Sequence, residues 1–463
     1  MQRLNGLDAG MVYAETDAWH MHAGALFVVE RPPGDPAQVL EDLLRARMHL
    51  LTPLRRLLVE PPLHLGLPVW IDVPEVDVAD HVHRVGVPSP GGPREVADLV
   101  GHLFSTKLDT DRPPWEFWVL EGLQDDRVAF LLKIHHSLVD GVRAARLYGV
   151  LFDVEPDAPL ARPGEPLGHD ESVPSAARML GGSVRFALGA PRRIVRLVGA
   201  LGAAAVGVGR IVTSADRADV TWPFRAPRVS LNRPLTSRRE VAFASVSMDD
   251  VRTVTEAFGV TVNDVALGMC AGALRNYLRE HGELPGRSLV AQIPVGVHRD
   301  ETGTDGNFVA PVGATLHTDV ADPAARLRAI HASTRNAKDV QVAMGDDLVV
   351  RALEAVPPLV LTTVVDLYQA LGLAELHPPI FNLIVSNVAG PPVPLHFAGG
   401  RLADSYLLGP LLMGCGLNIT LASYLDRVDF GVVTCPDVVD DPDAIAAGLP
   451  EALDELVKAA SVS

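Results

Sequence analysis

The segment His135-His136-Ser137-Leu138-Val139-Asp140-Gly141 places two imidazoles and a carboxylate in one short stretch. Imidazole titrates near pH 6.5, so at neutral pH a good fraction can accept a proton from an alcohol as the alcohol attacks a thioester. Direct transfer of that kind needs no covalent enzyme intermediate. General-base assistance is worth about a hundred- to ten-thousandfold in rate, roughly 3 to 5 kcal/mol of barrier. Substrate positioning and oxyanion stabilisation must supply the rest. The same residues also fit a plainer part, with the His-His pair packed at a strand end and Asp140 capping the helix that follows. No third ligand stands at a recognisable spacing, so no metal site is expected.

The elements around the motif decide how such an imidazole is presented. Val128-Ala129-Phe130-Leu131-Leu132-Lys133-Ile134 reads as a strand running straight into His135, and an amphipathic helix is expected from near Val142. The histidines therefore sit where a rigid element meets a loop, a suitable place to hold a side chain against a substrate. Upstream, the apolar run Ala25 to Val29 alternates with helical patterns over Pro36 to Leu50 and Pro93 to Leu108, which is a mixed α/β reading. His81 and His83 share an alternating, strand-like spacing, no carboxylate or cysteine cluster with metal-site spacing accompanies them, and they are expected at the surface.

Glu155 to Ser175 carries Pro156, Pro159, Pro163, Pro166 and Pro174 and reads as a linker. Beyond it, Ala176 to Val212 is rich in Ala, Gly, Val and Leu, with arginines at 178, 185, 192, 193, 196 and 210. It fits helices broken at Pro191, either a crossover pair packed between domains or a basic amphipathic face resting on anionic lipid. Strand candidates at Val241 to Val246, Leu289 to Pro294, Phe381 to Ser386 and Phe430 to Thr434 are interleaved with helices such as Val262 to Glu280, giving a second α/β unit. The expected division is a first half over 1–154, a linker with crossover helices over 155–235, and a second half over 236–463.

At 463 residues the chain exceeds the roughly 250 to 300 at which one core stops growing, which agrees with two units. Hydrophobic residues at 48% and charged ones at 21% are globular proportions. A net charge of -17 disfavours nucleic acid as a partner. The three cysteines, Cys270, Cys415 and Cys435, are too scattered for a disulfide framework, and a reducing cytoplasm fits them best. The first residues lack a basic region followed by an apolar one, so no export is expected. The most apolar stretch, Leu197 to Gly209 between Arg196 and Arg210, falls short of the roughly 17 to 25 residues that span a bilayer, so no transmembrane helix is expected either.

Several further segments stand in order along the chain. They are Leu7-Asp8-Ala9, Met21-His22-Ala23-Gly24-Ala25, Pro113-Pro114-Trp115-Glu116, Asn263-Asp264, Ser386-Asn387-Val388-Ala389-Gly390-Pro391, Leu417-Asn418-Ile419 and Ser423-Tyr424. Together with His-His-x-x-x-Asp-Gly they make the sequence resemble, over almost its whole length, the bacterial wax ester synthase/acyl-CoA:diacylglycerol acyltransferase family. Pro114 stands where the family has leucine, and Ala389 where it has proline.

The resemblance implies an α/β fold of two chloramphenicol-acetyltransferase-like halves with a central tunnel. It implies transfer of a fatty acyl group from acyl-CoA to diacylglycerol, making triacylglycerol, or to a long-chain alcohol, making wax ester. His136 would be the proton acceptor and His135 an adjacent, less essential partner. Asp140 would shape the turn, and Asn263 would stabilise the oxyanion or cap its helix. Gly141, Trp115 and Asp264 would contact substrate, with plain packing as the other reading of Trp115. No metal and no cofactor beyond acyl-CoA as co-substrate are implied. The expected setting is cytoplasmic, with peripheral contact to membrane or lipid inclusions. The alternatives are a same-fold acyltransferase of secondary metabolism and a non-catalytic coat protein of lipid inclusions.

Overall fold

The computed structural model describes residues 2–62, 65–139, 147–156, 158, 174–213, 221–296, 309–345, 348–397 and 399–462. Asp140, Gly141, the expected start of a helix near Val142 and most of the Pro-rich segment lie outside the described residues. The chain opens with β1 (Gln2–Arg3), α1 (Gly6–Ala14), β2 (His22–Glu30), α2 (Pro36–Arg47), β3 (Arg56–Val59), β4 (Val69–Asp72), β5 (Val82–Gly86), α3 (Pro93–Phe104), β6 (Trp115–Glu121) and β7 (Arg127–His135). Then come α4 (Ala176–Leu188), α5 (Ala190–Thr213), β8 (Glu240–Ser247), α6 (Met248–Phe258), α7 (Val262–Glu280), β9 (Val290–Gly296), β10 (Val309–Thr315) and α8 (Pro323–Met344). The last third adds α9 (Leu348–Ala355), α10 (Pro358–Ala370), β11 (Leu383–Ala389), β12 (His396–Phe397), β13 (Gly400–Leu408), β14 (Leu417–Tyr424), β15 (Arg427–Thr434) and α11 (Pro442–Ala460).

Among the described residues two six-stranded sheets organise the molecule, in the orders β12-β13-β2-β7-β6-β5 and β10-β9-β11-β14-β15-β8, with a small sheet β1-β4-β3 beside them. The near-continuous apolar run of β7 follows from its place in the first sheet, where both faces are covered. Val128, Phe130, Leu132 and Ile134 enter the core of the first half. Ala129 and Leu131 enter a larger core shared with β8, α7 and β15. Side chains alternate along a strand, so Lys133 and His135 share the second of these faces.

The division in sequence does not carry over cleanly into space. Strand β13 comes from the last third of the chain yet pairs antiparallel with β2, with a bulge between Leu402 and Asp404. The second half thus extends the sheet that holds the histidines, and a boundary drawn along the chain cannot describe it. Local signals explain most element ends. Asp35 caps α2 by accepting from the N–H groups of Ala37 and Gln38, with Pro36 in the first turn. The break between α4 and α5 comes at Gly189, and Pro191 sits in the first turn of α5, where its missing N–H costs nothing.

Helix α5 corrects one expectation. Its residues Ala190–Ile211 form a helix long and apolar enough, by length and composition, to cross a membrane. Arg196 and Arg210 bound the most apolar stretch, but the helix runs through both. One side of α5 packs on α8 and α9, while Ile194, Val195, Val198, Leu201 and Val206 are exposed. On α10, Val360, Val364 and Leu367 form a second exposed stripe at helical spacing, continued by Leu371.

Candidate active site

Strand β7 ends at His135, and His136–Leu138 form a single 3-10 turn that His135 caps. The Ser137 N–H donates to His135 Nδ1 at 3.3 Å, and the Ser137 Oγ lies 2.6 Å from the same nitrogen. A nitrogen that accepts a backbone N–H carries no proton, so the ring holds its proton on Nε2 and the serine hydroxyl donates. His135 is sealed from solvent at 1% exposure. Burial, and after it the charge of Lys107, pushes its pKa down to about 4. The ring therefore stays neutral at pH 7 with its only basic nitrogen occupied, which removes it from general-base duty.

His136 differs in every respect that matters. It is half-buried rather than sealed. Its backbone N–H donates to the Met21 carbonyl at 2.7 Å, and its carbonyl accepts from the Val139 N–H at 3.3 Å. The preceding His135 N–H donates to the Pro114 carbonyl at 2.9 Å. Both histidines are thus fixed through the backbone, and the half-exposed one stands at the rim.

Behind the strand end lies a buried polar layer. His22 is the register partner of His135, and its Nε2–H donates to the Phe104 carbonyl at 3.0 Å. The His20 Nε2–H donates to the Asp17 carbonyl at 2.8 Å, and the two rings stack with centroids 5.3 Å apart. Lys133 donates to the Leu103 and Thr106 carbonyls at 3.2 and 2.5 Å and lies 3.6 Å from Glu116. Cationic and N–H donors here satisfy the open carbonyls at the C-terminus of α3. Burial, then the Lys133 charge, holds His22 well below the ordinary histidine value. Burial, then Arg239, lowers His20.

A further carboxylate closes the site from α1. Glu15 follows the last turn of α1 as its C-cap. Its Oε1 accepts the Met21 N–H at 3.0 Å. Its Oε2 lies 3.3 Å from Lys107 Nζ and 3.9 Å from His135 Nε2. The 3.9 Å separation is too long for a hydrogen bond, so that contact is electrostatic.

The remaining expected residues fall elsewhere. Trp115 is buried in β6, opposite Ile134 of β7. Its Nε1–H donates to the Leu54 carbonyl at 2.7 Å, and it stacks on His81 with centroids 4.2 Å apart. That is packing behind β7, the plainer of the two readings of this residue. His81 is correspondingly buried, with Nδ1 2.8 Å from the Trp115 carbonyl, not at the surface as its spacing suggested. His83 is half-buried against Trp118.

Asp264 is also committed internally. Its Oδ2 accepts from the Thr261 N–H at 2.9 Å, the Thr261 Oγ1 at 2.7 Å and His331 Nδ1 at 2.8 Å, and its Oδ1 accepts from the Thr334 Oγ1 at 2.6 Å. Burial pushes this carboxyl up, but the hydrogen bonds from Thr334, His331 and Thr261 outweigh it and hold the pKa below the ordinary value. Asp264 ties α7 to α8, so its side chain serves the scaffold rather than the substrate contact assigned to it. Thr261, not Asn263, is the N-cap of α7. The half-buried Asn263 amide has no hydrogen-bond partner among the described residues and stands in the first turn of the helix. The downstream motifs are architectural. Asn418 donates to the Pro410 carbonyl at 2.8 Å and accepts from the Thr420 hydroxyl at 2.8 Å. Gly390 lies so close to β14 that a Cβ there would stand 1.9 Å from the Ser423 carbonyl oxygen.

Comparison with known proteins sets this geometry in a family. The model of the wax ester synthase/diacylglycerol acyltransferase catalytic domain matches residues 4–266, and that of the WS/DGAT C-terminal domain matches residues 305–457. The chain belongs to the wax ester synthase/diacylglycerol acyltransferase family. A relative from Mycobacterium tuberculosis (strain ATCC 25618 / H37Rv) bearing the name "Putative diacyglycerol O-acyltransferase" is 36% identical over 99% of this chain and 90% of its own. The solved wax ester synthase/diacylglycerol acyltransferase from Marinobacter aquaeolei VT8 is 29% identical, with a TM-score of 0.71 over 100% of both chains. The first condensation domain of the calcium-dependent antibiotic synthetase shares the fold at 17% identity, with a TM-score of 0.58 over 99% of this chain and 96% of that one.

Family membership makes the protein an O-acyltransferase built as two chloramphenicol-acetyltransferase-like α/β halves. Within that family frame, Glu15, Lys107, Ser137, His331 and Thr334 escaped the sequence reading. Ser137 stood inside the motif and Thr261-x-x-Asp264 is a capping-box spacing, so these two contacts were open to inference. Glu15 and Lys107 come from distant segments and carry no local signal.

Proposed function

We propose that this acyltransferase moves a fatty acyl group from acyl-CoA to the hydroxyl of diacylglycerol or of a long-chain alcohol, with His136 as general base. The observation that carries the reading is the contrast between the two adjacent rings. His135 is sealed and neutral with Nδ1 occupied, whereas His136 is half-exposed at the end of a strand buried on both faces. His136 takes the hydroxyl proton as the alcohol oxygen bonds to the thioester carbonyl carbon. The tetrahedral intermediate then collapses with cleavage of the carbon–sulfur bond, and the imidazolium returns the proton to the departing CoA thiolate. No acyl-enzyme forms, and neither metal nor cofactor takes part.

Asn263 supports the intermediate in this reading, because a neutral amide in the first turn of a helix is a suitable donor to an oxyanion. The family motif implies a part for Asp140 and Gly141, which lie outside the described residues. Acyl-CoA enters the central tunnel from one face and the acceptor from the other.

The setting is cytoplasmic, with α4 and α5 resting on a membrane or lipid inclusion. Residues 174–213 hold six arginines and no acidic residue in a chain of net charge -17, which favours an anionic lipid surface. Between Arg196 and Arg210 the helix rises about 20 Å, short of the roughly 30 Å hydrocarbon layer, so contact in the plane of the surface suits it better than crossing.

The test is release of CoA from palmitoyl-CoA over a panel of diacylglycerols, long-chain alcohols and unrelated small alcohols. His136→Ala is expected to keep the fold, by circular dichroism and melting temperature, and to lose at least a hundredfold in turnover. Unchanged turnover in that variant refutes the assignment.

A further inference from the structure

The carboxylate of Glu15 takes no part in the reaction written above, yet it is nearly sealed, with its side chain 4% exposed. A buried acid needs partners, and this one meets groups from different parts of the chain: the Met21 N–H and Lys107 Nζ directly, and His135 Nε2 at 3.9 Å, beyond hydrogen-bond reach. Two of those partners lead directly to His136. Met21 accepts the His136 N–H on its carbonyl at 2.7 Å, so a single residue, Met21, links Glu15 Oε1 to the backbone of the base. His135, its proton held on Nε2 by the Ser137 contact, stands with that nitrogen 3.9 Å from Glu15 Oε2.

We propose that Glu15 is the positioning residue for His136: it clamps the loop before β2 to the end of β7 and so fixes both the place and the electrostatic surroundings of the reacting imidazole. The proposal rests on His136 as the base. Two observations besides the contacts support it. Helix α1, which delivers Glu15, packs directly on the histidine turn. The loop from Thr16 to Met21 is held at its far side by the second half, through Trp19 Nε1–H to the Leu411 carbonyl at 2.7 Å and Arg239 Nη2–H to the Ala18 carbonyl at 2.8 Å. Glu15 is thus the point where the loop joining the halves meets the catalytic strand.

The charged and titratable groups around this node come from several elements. Lys107 follows α3, and His135 and Lys133 stand on β7. His22 opens β2, with His20 just before it. Arg239 precedes β8. Removing a negative charge beside an imidazole disfavours its protonated form, and removing a positive charge favours it. Glu15→Gln keeps an acceptor for the Met21 N–H but loses the charge, whereas Lys107→Met keeps Glu15 and loses the cation.

The experiment measures kcat, KM for palmitoyl-CoA and the pH dependence of kcat/KM in full-length wild type, Glu15→Gln, Glu15→Asp, Lys107→Met and His136→Ala. Glu15→Gln is expected to lower kcat by about ten- to a hundredfold, the cost of a small misplacement of a reacting group, with KM within twofold. Its acid limb should move to lower pH, and that of Lys107→Met to higher pH. Glu15→Asp should recover the position of the limb but not all of kcat, because the shorter side chain cannot reach Met21 and Lys107 together. If His136→Ala is inactive while Glu15→Gln keeps wild-type kcat, or loses kcat with its acid limb unmoved, the positioning role is overturned and the base assignment survives. If His136→Ala is active, the base assignment itself fails.

Discussion

Substituting His135 by asparagine gives a test with a magnitude that the structure sets. The wild-type ring is fully buried and its pKa is about 4 against 6.5 in the unfolded chain. Between those two values the unfolded state binds the proton and the folded state refuses it. Stability is therefore complete above about pH 6.5, falls as the pH drops through the window, and levels off below the folded value. At pH 5.0 the ratio of the two binding terms is roughly thirtyfold, or about 2 kcal/mol, against almost nothing at pH 7.5. His20, His22, His81 and His83 shift in the same direction, so only a comparison of variant with wild type isolates His135. Asparagine is a favoured N-cap whose Oδ1 can take the Ser137 N–H, and it does not titrate. Urea unfolding followed by tryptophan fluorescence at pH 7.5 and 5.0 should show wild type losing about 2 kcal/mol more than His135→Asn over that interval. Equal losses would mean that the ring is protonated inside the fold, and the distinction drawn between the two histidines would collapse.

Two further outcomes follow from the same contacts. Asp264→Asn leaves fewer acceptors for four donors and should cost on the order of 3 kcal/mol, read as a lower melting temperature with KM unchanged below it; a stable variant with raised KM would return Asp264 to substrate binding. Arg192→Glu with Arg196→Glu reverses two exposed charges on α5, each worth about 1 kcal/mol near an anionic surface, and should weaken cosedimentation with phosphatidylglycerol vesicles at least tenfold, whereas undiminished binding would discount the proposed face.

How much was legible depended on the range of the interaction responsible. The strand ending at His135 was plain because five successive apolar residues, Val128 to Leu132, make a short β-type run of the length expected of a strand covered on both faces. Helix α7 was found from Val262 to Glu280 because its apolar pattern is local, whereas its cap falls at Thr261 and not at Asn263. Helix α5 was underestimated because its arginines are spaced along a helix that carries them outward, so they interrupt the composition without interrupting the helix. The site residues divided in the same way. The motif named both histidines but gave no means of ranking them other than the resemblance.

Residue order alone determined the family, the acyl-transfer chemistry and the strand-to-turn setting of the two imidazoles, because each is written in contiguous residues. Only the tertiary structure decided that Trp115 and Asp264 hold the scaffold, that β13 crosses to the first sheet, and that Glu15 and Lys107 meet beside His135. Those outcomes depend on segments brought together by burial of the shared core, and sequence separation carries no record of which distant side chains that burial places in contact.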